Sequence, residues 1–239
     1  MENILTELMK KVLITQSNYI PWKGYFDNIA QCDTFVIYDD MQYTRRDWRN
    51  RNHIKTPHGL KWLSIPVEVK GKYFQAINET VVSEPDWNLN HWKQLKHNYS
   101  KAPFFKANSN WIEEVYQTAC FKTLTEINIH FLKAICLFLD IKTQFIDSRE
   151  FNLVEGKTER LVSICKQLDA TDYYTGSSAK DYMDEKLFLN QNINVHYFDY
   201  SNYAEYSQQN GEFCHYVTIF DLIFNTGKDA KNYMKSVIK

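Results

Sequence analysis

Glycine and proline are scarce in this chain, at 7 Gly and 5 Pro in 239 residues. So few breakers exclude a collagenous or low-complexity chain and leave room mainly for regular elements with short connections. Long apolar runs are missing too, since no segment approaches the ~20 residues that a membrane-spanning helix needs. The opening MENILTELMKKVLITQ carries acidic residues ahead of its lysines and no small-residue cleavage site, so we expect no secretory leader, no membrane span and a cytoplasmic, unanchored protein. Neither sign of charge dominates: 28 Lys and Arg face 29 Asp and Glu, for a net charge of -1. That removes the general electrostatic basis for binding DNA and leaves only a local basic patch open.

Cysteine usage excludes more. The five cysteines, at positions 32, 120, 136, 165 and 214, are odd in number and widely spaced, with no CxxC and no Cys/His pair at zinc-like spacing. Neither a disulfide framework nor a structural metal is expected, and the thiols read as reduced core residues. The sequence has no GxSxG elbow, no HExxH and no recognisable Cys/His pair, which disfavours serine, zinc and cysteine hydrolase chemistry.

What the chain does hold is aromatic residues, with 16 Tyr, 15 Phe and 6 Trp. They suit a Tyr-rich core or a cleft whose flat apolar wall ends in hydrogen-bonding tips. The length fits one domain over 1–239. VLITQ is a strand, turn-prone SNYIP follows, WKGYFDNIAQC is a helix, and TFVIY is a second strand. This β-α-β opening predicts parallel strands with a right-handed crossover. The stretch from about 50 to 82 reads as a β-hairpin insertion turning at Pro57-His58-Gly59, with an edge strand near Gln75 to Val82. Three helices are expected over about 86–140. Alternation then returns: TQFIDS strand, ERLVSICKQLDA helix, DYYTG strand, AKDYMDEKLFLNQN helix, VHYFDY strand, and a closing helix capped by Gly227. The predicted fold is α/β: a doubly wound, mostly parallel, Rossmann-like sheet with a hairpin insertion and a helical middle segment.

Ligands of open α/β sheets gather at the carboxyl ends of strands, which singles out the loop after the first strand. Gln16, Tyr19, Trp22, Gly24 and Tyr25 are the candidates there; Gly24 would permit close approach to a helix start whose amides favour an anion. Equally, the aromatic residues could simply pack the loop. A second candidate begins at the end of the second strand, where Asp39 and Asp40 precede Gln42, Tyr43, Arg45, Arg46, Asn50, Arg51 and Asn52. Guanidinium groups grip phosphate or carboxylate bidentately and stack on bases, so this loop could hold an anionic, hydroxyl-rich substrate such as a sugar nucleotide. A solvated, self-neutralising loop is the alternative, and the acidic pair alone is weak grounds for magnesium. Gly176, Ser177 and Ser178, between a strand and a helix, offer either N-caps or another anion cradle. His91 and His97 are six residues apart on one helix, which puts them on different faces and argues against joint metal binding; either alone could be a general base or a core histidine.

The segments ITQSNYIPWKGYFDNIAQCDTFVIYDDMQYTRRDWRNRNHIKTPHGLKWLSIPV, HWKQL with YSKAPFF, YYTGSSAKDYMDEKLF and TIFDLIFNTG resemble the WbqC-like family, collinearly from about residue 11 to 235. The resemblance implies a part in making a bacterial surface glycan such as O-antigen, by acyl or aminoacyl transfer to the amine of a nucleotide-linked amino sugar. It points to His91, and in the transfer reading Asp40 or His91 removes the proton from the attacking ammonium. The acyl donor is supplied from outside, and no resident cofactor is identified. More distantly, the opening is similar to nucleotidyltransferase-like folds such as pantothenate synthetases, which implies an ATP- and magnesium-dependent carboxylate-amine ligase as a second reading. Trp22 and Tyr25 stand where that fold has the two histidines of its HxGH pattern. A non-catalytic sugar-nucleotide-binding component of the pathway is a third reading, and a homodimer is left open.

Overall fold

In the computed structural model the described residues run from 9 to 236. They contain seven strands: β1 (Lys11–Thr15), β2 (Thr34–Ile37), β3 (Arg51–Thr56), β4 (Gly59–Ser64), β5 (Gln144–Asp147), β6 (Asp172–Thr175) and β7 (Asn194–Tyr197). Seven α-helices accompany them: α1 (Lys23–Ala30), α2 (Trp87–Tyr99), α3 (Phe105–Gln117), α4 (Leu124–Phe138), α5 (Lys157–Gln167), α6 (Glu185–Leu189) and α7 (Ile219–Thr226). Residues 1–8 of the opening segment, on which the expectation of no leader partly rests, lie outside the described residues.

The chain divides into two compact units. The first gathers the described residues up to Thr15 with Asn28–Tyr38 and Thr143–Asp199; the second gathers Gln16–Asp27, Asp39–Lys142 and Tyr200 onward. The first unit is the parallel sheet, in the order β5-β2-β1-β6-β7, with every pairing parallel. This is the expected doubly wound α/β arrangement: strand order reverses at β1, so crossovers run both ways from the centre. Central strands buried on both sides read as continuous apolar runs rather than alternating ones, and Val12, Leu13, Ile14, Phe35 and Val36 are all buried. Phe35 meets Phe145 edge-on at 5.2 Å, and Tyr173 stacks on Phe188 at 4.9 Å.

The second unit holds the β3–β4 hairpin and an aromatic core in which Tyr99, Phe105 and Phe224 pack at 5.2 Å and Tyr116 meets Phe131 at 4.8 Å. α4 begins with a capping box: the Glu126 carboxylate accepts the Thr123 backbone N–H at 2.9 Å, and Thr123 Oγ1 accepts the Glu126 N–H at 3.4 Å. α7 ends at Gly227, whose φ of +61° and whose contact with the Phe104 ring, 2.6 Å from where a Cβ would sit, both demand glycine.

Three expectations need correction. The edge strand near 75–82 is instead a 3₁₀ turn at Ile77–Glu79, joined to its surroundings by isolated bridges at Ala76, Val81 and Val82. The helix expected over 179–192 is broken: a 3₁₀ turn (Ser177–Asp181) precedes the five-residue α6, because Asp184 accepts the Lys186 amide and so restarts the helix there. Ser177 and Ser178 consequently cap nothing; the 3₁₀ turn has Gly176 at its N-cap and no side-chain cap bond. Among the described residues no helix is long and apolar enough to cross a membrane.

Candidate functional site

The two loops singled out above, 16–22 and 39–52, lie together in the second unit, and their shape is fixed by side chains donating to backbone. Ser17 gives its N–H and its hydroxyl to the Asp39 carboxylate at 2.7 and 2.6 Å, and Thr125 of α4 gives that carboxylate its hydroxyl at 2.7 Å. Asn128, one turn further along α4, donates to the Ser17 hydroxyl oxygen and to the Arg49 carbonyl, both at 2.9 Å. Asp39 is buried, and desolvation raises its pKa against the lowering effect of the Ser17 and Thr125 hydrogen bonds. Its two oxygens therefore tie the two loops to α4. Asp40, the next residue, is half-buried.

Arg49 completes the frame. Its guanidinium donates to Gln16 Oε1 at 3.1 Å and to Asn18 Oδ1, and it faces the Asp47 carboxylate at 3.8 Å. Asn52 donates to the Tyr19 carbonyl at 3.2 Å and the Ile20 carbonyl at 3.0 Å. These bonds hold Ile20 at a φ of +36°, a backbone region that β-branched residues avoid and that persists only where surroundings over-determine it. Asn50 donates to the Ile65 carbonyl at 2.8 Å and Arg45 to the Val69 carbonyl at 2.7 Å. Arg51 donates to the Arg46 carbonyl, and Gln42 to that of Tyr73 at 3.0 Å. The arginine loop is thus preorganised, with Arg45 and Arg46 exposed.

Tyr19 and Tyr43, candidates of the two loops, both have buried rings. Tyr19 sits in a hydrogen-bonded chain whose proton order the geometry fixes. His91 Nε2 lies 3.2 Å from the Ser64 carbonyl, which can only accept, so Nε2 carries the proton and Nδ1 is the acceptor. The Tyr19 hydroxyl therefore donates to Nδ1 at 2.8 Å, and Tyr116 donates to Tyr19 at 2.9 Å. Burial lowers the pKa of His91 to about 4 against a raising effect from the Ser64 hydrogen bond, which keeps the ring neutral.

Trp22 is half-buried and lies among Tyr203, Tyr200 and Tyr216, with ring centroids 5.3, 5.7 and 6.0 Å away. Its indole also explains Gly24, where a Cβ would come within 2.3 Å of the ring; the close neighbour at that glycine is the protein's own tryptophan. Tyr25 donates its hydroxyl to the Gln16 carbonyl at 2.7 Å. Lys23, at the start of α1, is buried with its ammonium donating to the Ala204 carbonyl and facing the Tyr203, Tyr206, Phe213 and Tyr233 rings at 5.2 to 5.8 Å. Burial lowers its pKa to about 8. Gly176, Ser177 and Ser178 belong to the parallel-sheet unit at the end of β6, with both serines exposed.

Sequence reasoning missed Ser17, Thr125 and Asn128, whose partners lie across the fold, and Trp48, Trp62, Tyr200 and Tyr216, whose rings are exposed by 37 to 65 %. Arg49 belongs to the arginine-rich run that the sequence singles out.

Comparison with known proteins agrees with the motifs above. The model of the WbqC-like protein family matches residues 16–233. The uncharacterized protein Rv1507c of Mycobacterium tuberculosis (strain ATCC 25618 / H37Rv) is 48% identical over 227 residues, which is 95% of this chain and 98% of the relative. No solved structure matches.

Proposed function

The chain belongs to the WbqC-like protein family, and from that premise we propose that it transfers an acyl or aminoacyl group to the amine of a nucleotide-linked amino sugar during assembly of a bacterial surface polysaccharide. The observation that supports this reading is the preorganised arginine loop: Arg45 and Arg51 are pinned through carbonyls and Arg49 through Gln16 and Asn18. Fixed cations cost little reorganisation when they meet a diphosphate, and guanidinium groups match its oxygens bidentately. Arg45, Arg46 and Arg51 hold the diphosphate, and the half-buried Trp22 borders the sugar.

Transfer needs a free amine lone pair, so the acceptor's ammonium must first lose a proton. Asp40 takes that proton. The nitrogen then attacks the donor's carbonyl carbon, the bond from that carbon to the donor's leaving group breaks, and the second proton that the nitrogen sheds as it becomes an amide goes to the departing group. His91 acts through Tyr19 as a positioning residue, since both its ring nitrogens are engaged. The donor comes from outside the chain.

Thermal shift against UDP-, dTDP- and GDP-linked amino sugars tests the acceptor class, because a ligand that binds only the folded state raises its melting temperature. One nucleotide sugar should stabilise the wild type, and Arg51→Ala should abolish most of that shift. An unchanged shift in Arg51→Ala contradicts the diphosphate role.

A further inference from the structure

Cross-strand partners in an antiparallel pair share a face, so the β3–β4 register puts Arg51, His53 and Lys55 on one face with Leu60, Trp62 and Ser64. At the turn end of this face Lys55 is buried and tied down, while Leu60 across from it is 47 % exposed. Lys55 Nζ donates to Gln208 Oε1 at 3.1 Å and to the Glu212 carbonyl at 2.5 Å. His53, next along, has its ring centroid 3.5 Å from that of Trp62, the two rings inclined at 39°.

The other end is open. Trp48 and Trp62 are 38 % and 37 % exposed with centroids 5.3 Å apart, and the Arg51 guanidinium carbon lies 3.9 Å from the Trp62 ring centre. Contiguous exposed apolar side chains, unlike singly scattered ones, mark interaction sites. Two buried polar atoms on this face, Arg51 Nε and His53 Nδ1, have no hydrogen-bond partner among the described residues. Charge is just as uneven: Gln42 to Ser64 holds six Lys or Arg against one Asp, in a chain whose net charge is -1.

We propose that this open end of the β3–β4 face seats the base of a nucleotide, stacked against Trp48 and Trp62, with its phosphates on Arg51 and the neighbouring arginines. The inference rests on the sugar-nucleotide reading above and adds which part of the ligand the tryptophans hold. Stacking on an indole suits any flat base, and guanidinium groups serve both the π-face and the phosphates. A neutral sugar would need carboxylate or amide side chains for its hydroxyls, and the face made by Arg51, His53, Lys55, Leu60, Trp62 and Ser64 has none. Its cations instead call for an anionic ligand.

The test is calorimetric titration of the wild type, Trp48→Ala, Trp62→Ala and Trp62→Phe with UDP, dTDP and GDP, and with glucosamine 1-phosphate as a phosphate lacking a base. A melting scan of each variant checks folding. The wild type should bind at least one diphosphate, and Trp62→Ala should weaken it about tenfold or more, as loss of one stacking contact does. Trp62→Phe should recover most of that affinity, and glucosamine 1-phosphate should bind all four proteins alike. Equal diphosphate affinity in the wild type and both alanine variants overturns the proposal, as does a wild type that binds none of the diphosphates. Tryptophan-dependent binding without acyl transfer would leave the base site standing and remove the transferase reading. Acyl transfer that is indifferent to both tryptophans would do the reverse.

Discussion

Ser17 and Asp39, the one two residues beyond β1 and the other two beyond β2, are joined twice, by the Ser17 amide at 2.7 Å and its hydroxyl at 2.6 Å to a buried carboxylate. This pair, with Thr125 completing the carboxylate's bonds, joins the loops 16–22 and 39–52 to each other and to α4. Asp39→Ala strands the Ser17 amide and should cost about 3 kcal/mol of stability, whereas Asp39→Asn keeps an acceptor and should cost less than half of that. Urea unfolding of the two variants checks the order.

The raised pKa of Asp39 gives that comparison a pH signature. An acid whose pKa is higher folded than unfolded binds more protons in the native state, so its contribution is full below the unfolded value of ~3.9 and is lost as pH rises through the folded value. The stability advantage of wild type over Asp39→Asn should therefore shrink as pH rises from the acid side. An advantage that grows with pH would mean that the Ser17 and Thr125 hydrogen bonds outweigh desolvation.

His91 predicts the opposite slope. Its pKa falls to about 4 on burial, from 6.5, so the unfolded chain binds the extra proton between those values. The associated stability is present above about pH 6.5 and is lost as pH falls through 4, with an upper bound of about 3 kcal/mol. His91→Gln should flatten the melting-temperature profile across that window. If the wild-type slope persists in the variant, other groups carry it.

Gly24→Ala puts a Cβ 2.3 Å from the Trp22 indole. The ring must turn away from Tyr203 and Tyr216, so the variant should lose about 1–3 kcal/mol and shift its tryptophan emission to the red. An unchanged spectrum would show that α1 yields instead of the ring.

The parallel sheet was legible because buried β-branched runs such as VLIT, with a turn-prone loop and an amphipathic helix between them, admit few other arrangements. The hairpin was legible at Pro57-His58-Gly59, and Gly227 as a helix stop. Local signals failed where a competing cap intervened: Asp184 restarts the helix that the pattern from Ala179 onward suggested was continuous. The arginine loop could be read as cationic, but not that Asp39 and Tyr19 turn inward, because their partners lie up to 97 residues distant. The Trp22–Tyr216 contact spans most of the chain, and no short-range pattern announces it.

The central claim is the transfer itself, and the most direct measurement is the mass of a nucleotide-linked amino sugar after incubation with the protein and a panel of acyl and aminoacyl donors. The account predicts one acceptor that gains the mass of an acyl group on its amine, in the wild type and far more slowly in Asp40→Asn. An acceptor that binds tightly yet never changes mass with any donor would contradict it and leave a sugar-nucleotide-binding protein in its place.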